Sequence, residues 1–179
     1  MNAALSSLLV QQERNNLDRT YLSGQFGQLS YRETLTLIRQ LTQFLASSDR
    51  INMKRSIGIS TASPQYIAIA VWAAIFADIS IVFLPLCRDP EVMRRAMEES
   101  SADMLLTDEP VLLQELWCQG LKEALRSNYP GDSRPGVSEK GLPTSSRESD
   151  AGFIFQTSGT AGEPKWVQCE YRKFSTVID

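Results

Sequence analysis

The stretch that decides the fold runs from residue 56 to residue 84 and reads SIGISTASPQYIAIAVWAAIFADISIVFL. Its ends, SIGIS and ISIVFL, are short, apolar and rich in β-branched residues, which is typical of buried strands. Between them, Ser63 and Pro64 have the pattern of an N-cap followed by a first helical position, and an alanine-rich apolar segment follows. The stretch therefore predicts a strand, a buried helix that ends in a turn at Asp78, and a second strand.

A membrane span is the alternative interpretation of the apolar run from Tyr66 to Leu84, because its length is near that of a bilayer-crossing helix. Asp78 lies inside the run and Ser80 follows it closely. The composition also changes from alanine-rich to β-branched at Asp78, which favours a helix, a turn and a strand over a continuous span. No membrane span is predicted.

The alternation of strands and helices continues downstream. Asp89 and Pro90 repeat the cap-and-proline start of a helix that is expected to run to about Ser101. The segment DMLLT then predicts a strand, and Val111 to Arg126 has the spacing of another helix, with Trp117 and Cys118 packing on it. GFIFQ, which starts at Gly152, predicts the last clear strand.

Upstream of the deciding stretch, RTYLSGQFGQLSY predicts two short strands around Gly24 and Gly27. Ser30 and Glu33 form the S-x-x-E pattern of a capping box. Periodic apolar residues follow and predict a helix from about Tyr31 to Ser47.

Short apolar strands that alternate with helices indicate an α/β fold, with a parallel sheet flanked by helices on both faces. Such sheets bind ligands in the loops beyond the carboxyl ends of their strands. Residues 1–179 are interpreted as one domain. Its segment at about 128–150, NYPGDSRPGVSEKGLPTSSRESD, is expected to be a flexible loop because it is rich in glycine, proline and serine and has little to bury.

The composition excludes several classes of function. The 179 residues carry a net charge of −3, so nucleic acid and anionic membranes are not expected as partners. The chain has no histidine, which excludes histidine-based catalytic triads and argues against an ordinary zinc site. Its three cysteines form no CxxC pair and are interpreted as reduced thiols, which predicts a cytoplasmic protein.

The segment TSGTAGEPK follows the last strand and has the chemistry of a phosphate-binding loop. Hydroxyl groups can donate hydrogen bonds to phosphate, glycines let backbone amides approach a ligand closely, and one lysine supplies positive charge. It is not a Walker loop, because only two residues separate its glycines. From composition alone, a solvated loop without function remains an equal alternative. The candidate nucleotide-binding residues are Thr157, Ser158, Gly159, Thr160, Gly162 and Lys165.

The longer segment TSGTAGEPKWV resembles the phosphate-binding signature of the adenylate-forming superfamily, which includes acyl-CoA synthetases, acyl-AMP ligases and peptide-synthetase adenylation domains. The six candidate residues match that signature in place, as do Pro164 and Val167. The strand and helix order of residues 57–108, down to Pro85 after the second strand, is also similar to that of the family.

The resemblance implies the N-terminal part of an ATP-dependent carboxylate-activating ligase. Such an enzyme joins a carboxylic acid to AMP, releases pyrophosphate and passes the acyl group to a thiol acceptor, either CoA or a carrier protein. ATP and Mg²⁺ are the implied cofactors. The family's magnesium-binding glutamate, ribose-binding aspartate and catalytic lysine lie in later segments that these 179 residues do not include, so we assign no catalytic residue and no metal ligand here. Which acid and which thiol acceptor are used stays open.

Three positions depart from the family pattern. Gln156 stands where an aromatic residue is common, and Tyr171 falls near a frequent histidine that is often close to the acyl site. Trp166 stands directly after the lysine, where the family usually has a small residue. This places a large side chain beside the loop, and one interpretation is that the indole contacts a ligand.

The resemblance covers only the first part of a family enzyme, so two hypotheses stay open. The chain can be a truncated or split piece of an enzyme, expected to be inactive alone. Alternatively, it is a non-catalytic interaction module or remnant that self-associates or folds against a complementing chain. The aromatic residues Tyr66, Trp72 and Phe76 are interpreted as core rather than as an acyl pocket. Arg88, Arg94 and Arg95 are interpreted as solvated rather than anion-binding.

Overall fold

A computed structural model describes residues 17–24, 27–48, 56–126, 150–157, 165–171 and 173. In chain order, the elements are β1 (Thr20–Gly24), β2 (Gly27–Ser30), α1 (Tyr31–Ser47), β3 (Ser56–Ser60), α2 (Pro64–Ala77), β4 (Ser80–Phe83), α3 (Pro90–Ser100), β5 (Met104–Thr107), a 3₁₀ turn (Leu112–Gln114), β6 (Cys118–Gly120), α4 (Leu121–Arg126), β7 (Gly152–Thr157) and β8 (Lys165–Glu170).

Six strands form one sheet in the order β6-β5-β3-β4-β7-β8, and β1 and β2 form a separate hairpin. The first five strands of that order are mutually parallel, whereas β8 runs antiparallel to β7. The prediction of an α/β fold with a helix-flanked parallel sheet is confirmed. The antiparallel edge strand β8 is an addition to that prediction.

Two apolar clusters pack on opposite faces of the sheet. The cluster that contains α1, α2 and α4 also holds Ile57 and Ile81 and defines what we call the first face. The cluster that contains α3 and the 3₁₀ turn holds Val82 and Leu105 and defines the second face. Because both faces are covered, all five residues of β3 are buried, including the serines at its two ends.

The predicted helix starts are confirmed at the atomic level. The backbone N–H of Glu33 donates to the Ser30 hydroxyl at 3.3 Å, and the Glu33 carboxylate accepts from the Ser30 N–H at 2.8 Å. The Ser30 hydroxyl also donates to the Glu33 carboxylate at 2.8 Å, and the bonds from the N–H and the hydroxyl of Ser30 lower the pKa of that carboxyl group. Ser63 and Asp89 cap α2 and α3 in the same way, each followed by proline at the first turn.

The turn predicted at Asp78 ends α2. Asp78 adopts the left-handed conformation, with φ of 58°, and its N–H bonds back to the last turn of the helix. The apolar run is thereby divided into α2 and β4. Across the described residues, none of the helices combines the length and apolarity that crossing a bilayer requires.

The prediction of one helix from Val111 to Arg126 is wrong. The structure has a 3₁₀ turn, the strand β6 and a short α4 in that segment. Leu116, which the helical pattern would bury, is 88% exposed. Pairing with β5 decides the conformation, because the N–H of Leu105 donates to the carbonyl of Trp117 at 2.9 Å and Cys118 lies opposite Leu105 in the ladder.

Cys118 is therefore a strand residue and does not pack on a helix as predicted. It is buried in the second-face cluster. Burial, with a smaller contribution from the Glu115 carboxylate, raises the pKa of its thiol to about 12. This thiol stays protonated at neutral pH and acts as a small apolar side chain, as the sequence suggested for the cysteines.

The predicted flexible loop at about 128–150 lies outside the described residues except for Asp150. The aromatic residues assigned to the core are found there: Tyr66 and Phe76 are buried in the first-face cluster and Trp72 packs against it. Arg94 and Arg95 lie on the exposed side of α3, where both pair with Glu91.

Candidate functional site

The first and last of the candidate residues belong to two neighbouring strands, β7 and β8. Thr157 is the last residue of β7, Lys165 is the first residue of β8, and the two lie directly opposite each other in the ladder. The structure therefore brings together the first and last of the six predicted residues. Ser158, Gly159, Thr160 and Gly162 lie outside the described residues.

The Thr157 hydroxyl bonds to the opposite strand. Its Oγ1 donates to the backbone carbonyl of Lys165 at 3.1 Å. Both side chains are exposed, and among the described residues no carboxylate forms an ion pair with Lys165. The ammonium group is thus available for an anionic ligand at the carboxyl end of β7, the edge at which parallel sheets bind ligands.

The base of this hairpin is fixed to the core through Gly152 and Tyr171. The Gly152 N–H donates to the Ser80 hydroxyl at 3.2 Å, which joins β7 to β4. A Cβ atom on Gly152 would lie 2.3 Å from the backbone oxygen of Cys169 and 2.7 Å from the Cα of Glu170. The close approach of β8 therefore requires glycine at this position.

Tyr171 is a core residue. It is fully buried, its hydroxyl donates to the carbonyl of Ile79 at 2.9 Å, and its ring packs edge-on against Phe153. Burial, with a smaller contribution from the Asp78 charge, raises the pKa of this phenol far above its ordinary value. The position that the family pattern associates with histidine is thus occupied here by a structural anchor for the end of β8.

Trp166 lies on the other side of β8 from the Lys165 side chain, because successive strand residues face opposite ways. Its indole is half-buried against the second-face cluster, beside Ile154. The indole Nε1 is buried and has no hydrogen-bond partner in the described part of the chain. The large indole, which stands where the family usually has a small residue, therefore packs on the second face of the sheet. It does not cover the face that carries Lys165.

An aromatic surface next to Lys165 was missed by the sequence analysis. Phe83 and Phe155 stack with ring centroids 5.0 Å apart, and Phe153 lies 6.1 Å from each of them. Phe155 is 41% exposed, and Val167, directly opposite it on β8, is 47% exposed. The consecutive apolar residues in FIF and WV were the available signal, but a continuous apolar run does not reveal which face of the sheet remains uncovered.

A second feature that the sequence analysis missed is a cavity of about 430 Å³ at the carboxyl ends of β3, β4 and β5. Arg88, predicted to be merely solvated, lies at this cavity and donates from Nε to Glu109 at 3.1 Å. The other lining residues are Ser60, Ala62, Leu86, Cys87 and Asp108.

Within the described ranges, no three histidine, cysteine or acidic residues are grouped closely enough to hold a metal ion. At the open end of the hairpin, Lys165 is exposed and forms no ion pair with a described carboxylate, and the sequence that precedes it is rich in small and hydroxyl-bearing residues. Hydroxyl groups, backbone amides and a lysine are groups that can hold phosphates by hydrogen bonds and offset their negative charge.

The curated proteins whose sequences are similar to this chain are much longer than it is. Over 92% of its length, the chain is 26% identical to nonribosomal peptide synthetase astA of Aspergillus oryzae, of which it spans 13%. Over 99% of its length, it is 25% identical to bacitracin synthase 2 of Bacillus licheniformis, of which it spans 6%.

Solved structures show the same fold. O-succinylbenzoate coenzyme A synthetase from Bacillus subtilis, in complex with AMP, matches 94% of the chain with a TM-score of 0.65 at 19% identity, and the chain covers 44% of it. The N-terminal subdomain of Klebsiella oxytoca NpsA, in complex with 3-hydroxybenzoyl-AMSN, matches 94% with a TM-score of 0.71 at 17% identity, and the chain covers 41% of it. The sequence model for the AMP-binding enzyme family matches residues 9–178, and the chain therefore belongs to that family.

Proposed function

We propose that this chain is the N-terminal portion of an ATP-dependent carboxylate-activating ligase, and that its part in the reaction is to hold the polyphosphate of ATP. The observation that carries the proposal is the exposed Lys165, which lies opposite Thr157 at the carboxyl end of β7 and forms no ion pair with any described carboxylate. The parent reaction joins a carboxylic acid to AMP with release of pyrophosphate, and a thiol acceptor then takes the acyl group.

In this proposal the chain's own residues act by electrostatics. Lys165 offsets the negative charge of the β- and γ-phosphates and of the departing pyrophosphate. The hydroxyls and amides of Ser158, Gly159, Thr160 and Gly162 supply hydrogen bonds around it. We assign the role of general acid or base to none of the described residues.

The cofactor that fits the described residues is ATP. An exposed lysine and an adjoining Ser/Thr/Gly segment suit an anionic polyphosphate. Mg²⁺ would neutralise part of the phosphate charge when bound with ATP, but the described residues offer no group of ligands for it. We assign the metal to no residue of this chain.

The test is ATP binding by the 179-residue chain and its Lys165→Ala variant. We expect weak binding of ATP, and a loss of about 1–3 kcal/mol in the variant, the scale of a charge-assisted hydrogen bond at a partly desolvated site. Isothermal calorimetry measures both. The same samples are expected to show no carboxylate-dependent exchange of pyrophosphate into ATP.

Lys122→Ala is the matched control, because Lys122 is an exposed lysine on α4, outside the site. It should bind ATP as the wild-type chain does. Equal weakening by both substitutions would indicate a diffuse charge effect and would contradict a phosphate site at Lys165, as would an unchanged affinity in Lys165→Ala.

A second candidate function is an interaction module that pairs with another chain. The observation that favours it is the outer edge of β8, along which no strand is paired among the described residues. Val167 on β8 and Phe155, which lies opposite it on β7, are also exposed. Exposed strand edges pair with other chains, and exposed apolar surfaces associate.

For this candidate, self-association of the purified chain is the expected result. Val167→Lys should shift it toward the monomer, because a lysine on an edge strand opposes pairing. Analytical ultracentrifugation across a concentration series measures the change. Val111→Lys is the matched control, since Val111 is also 47% exposed but lies away from β8. A wild-type chain that stays monomeric at every concentration argues against the module.

A further inference from the structure

The cavity at the carboxyl ends of β3, β4 and β5 has no part in the proposed function. Its volume of about 430 Å³ lies within the range of small-molecule pockets, about 300–1,000 Å³. At this edge the chain leaves the neighbouring strands β3 and β4 in opposite directions, into α2 on the first face and into α3 on the second face. Ligands of open α/β sheets bind in the crevice at such a reversal. The fold therefore favours this cavity as a ligand site.

Three charged side chains line the cavity, and one of them has no partner among the described residues. Arg88 donates from Nε to a carboxylate oxygen of Glu109 at 3.1 Å, so the charges of these two side chains offset each other. The Asp108 side chain forms no hydrogen bond and no ion pair with a described residue. The described lining therefore carries one uncompensated charge, and that charge is negative.

The exposure of the three side chains differs in the same sense. The Arg88 side chain is 82% exposed, whereas the Glu109 side chain is 24% exposed and Asp108 is half-buried. The guanidinium group thus lies at the mouth of the cavity, and the carboxylates are more withdrawn from water. An unpaired carboxylate that is partly withdrawn from water has lost hydration, which a cationic hydrogen-bond donor can replace.

Two helix N-termini, which commonly attract anions, also lie at this edge. Amides of their first turns are already bonded: the Tyr66 N–H donates to the Ser63 hydroxyl at 3.3 Å, and the Glu91 N–H donates to the Asp89 carboxylate at 2.9 Å. The Asp89 carboxylate also adds a negative charge at the start of α3. The charges at this edge therefore favour a cation over an anion.

We propose that the cavity binds the ammonium group of a small organic amine. Asp108 pairs with that group and accepts a hydrogen bond from it, since an ammonium group carries donors and no acceptor. The apolar side chains of Ala62 and Leu86 contact the hydrocarbon chain of the amine. None of the lining residues belongs to the candidate phosphate segment, so this site does not depend on the proposed function.

The test uses n-butylamine, butyrate and n-butanol, which share a short hydrocarbon chain and differ in charge. Binding to the 179-residue chain is followed near neutral pH through the NMR amide shifts of the lining residues. Butylammonium is expected to shift them, and Asp108→Asn, which keeps the shape and removes the charge, should weaken its binding about tenfold, the scale of a charge-assisted hydrogen bond. Glu99→Gln is the matched control, because it removes one negative charge at the other end of α3 and should leave the affinity unchanged.

Arg88→Gln is expected to act in the opposite direction and distinguishes an ammonium site from an anion site. It removes the partner of Glu109, so butylammonium should bind about threefold tighter, the scale of one partly exposed ion pair. Butyrate binding that is lost in Arg88→Gln would overturn the proposal in favour of an anion site. The proposal also fails if butylammonium binds no better than n-butanol, or equally well to the Asp108→Asn variant. A chain that binds no ATP would contradict the proposed function and would leave this comparison decisive.

Discussion

Replacing Tyr171 by alanine is expected to lower the free energy of unfolding by about 3–5 kcal/mol, the range for removing a large buried aromatic side chain. Tyr171 is fully buried, packs on Phe153 and bonds to the Ile79 carbonyl. The substitution leaves a cavity in the first-face cluster and releases the end of β8. Denaturant unfolding followed by circular dichroism measures the loss.

Tyr171→Phe separates packing from hydrogen bonding. It keeps the ring and leaves the Ile79 carbonyl without this donor, so a smaller loss of about 1–2 kcal/mol is expected. If Tyr171→Ala cost no more than Tyr171→Phe, the ring would not be the anchor that the structure indicates. A role for Tyr171 at an acyl site would instead appear as altered ligand binding with unchanged stability.

Gly152→Ala is the second substitution with a large expected effect, about 3 kcal/mol or more. The added Cβ would meet the backbone of Cys169 at 2.3 Å, and backbone atoms of a paired strand cannot rotate away. Relief of the clash requires β8 to move, which displaces Lys165 from its place opposite Thr157. Thermal unfolding measures the stability, and ATP titration measures the displacement.

Gly120→Ala is the matched control for this prediction. Gly120 is also a buried strand glycine, but its added Cβ would have contacts of only 3.4 Å, to side-chain atoms of Glu123 and Leu113. These side chains can adjust, so a change within about 1 kcal/mol is expected. Similar losses in the two variants would mean that the cost arises from adding a methyl group to any strand, and not from the approach of β8.

Much of the fold could be predicted because local signals agreed with the tertiary structure. Ser30, Ser63 and Asp89 start their helices as their patterns indicate, since capping bonds involve residues within three positions of each other. The strands SIGIS and SIVF were recognisable because they are short and rich in β-branched residues, and almost all of their residues are buried. The family signature was likewise local, and the match of the family to residues 9–178 confirms the recognition.

The segment from Val111 to Arg126 shows where local reasoning fails. Its leucines have helical spacing, yet Cys118 pairs with Leu105 and the helix is replaced by β6 and α4. The free edge of β5 needed a hydrogen-bonding partner, and a short strand satisfied it. No pattern within the segment records that need, because it belongs to a strand elsewhere in the chain.

For the candidate site, the sequence by itself determined the chemistry: the hydroxyls, the glycines and the single lysine, and the family to which that combination belongs. Only the tertiary structure decided how these groups are used. The antiparallel return of β8 places Lys165 opposite Thr157, commits the threonine proton to a backbone carbonyl and turns Trp166 onto the other face. The reason is physical: residue types carry functional groups, but the pairing of two strands determines which groups meet, which are already bonded and which remain free for a ligand.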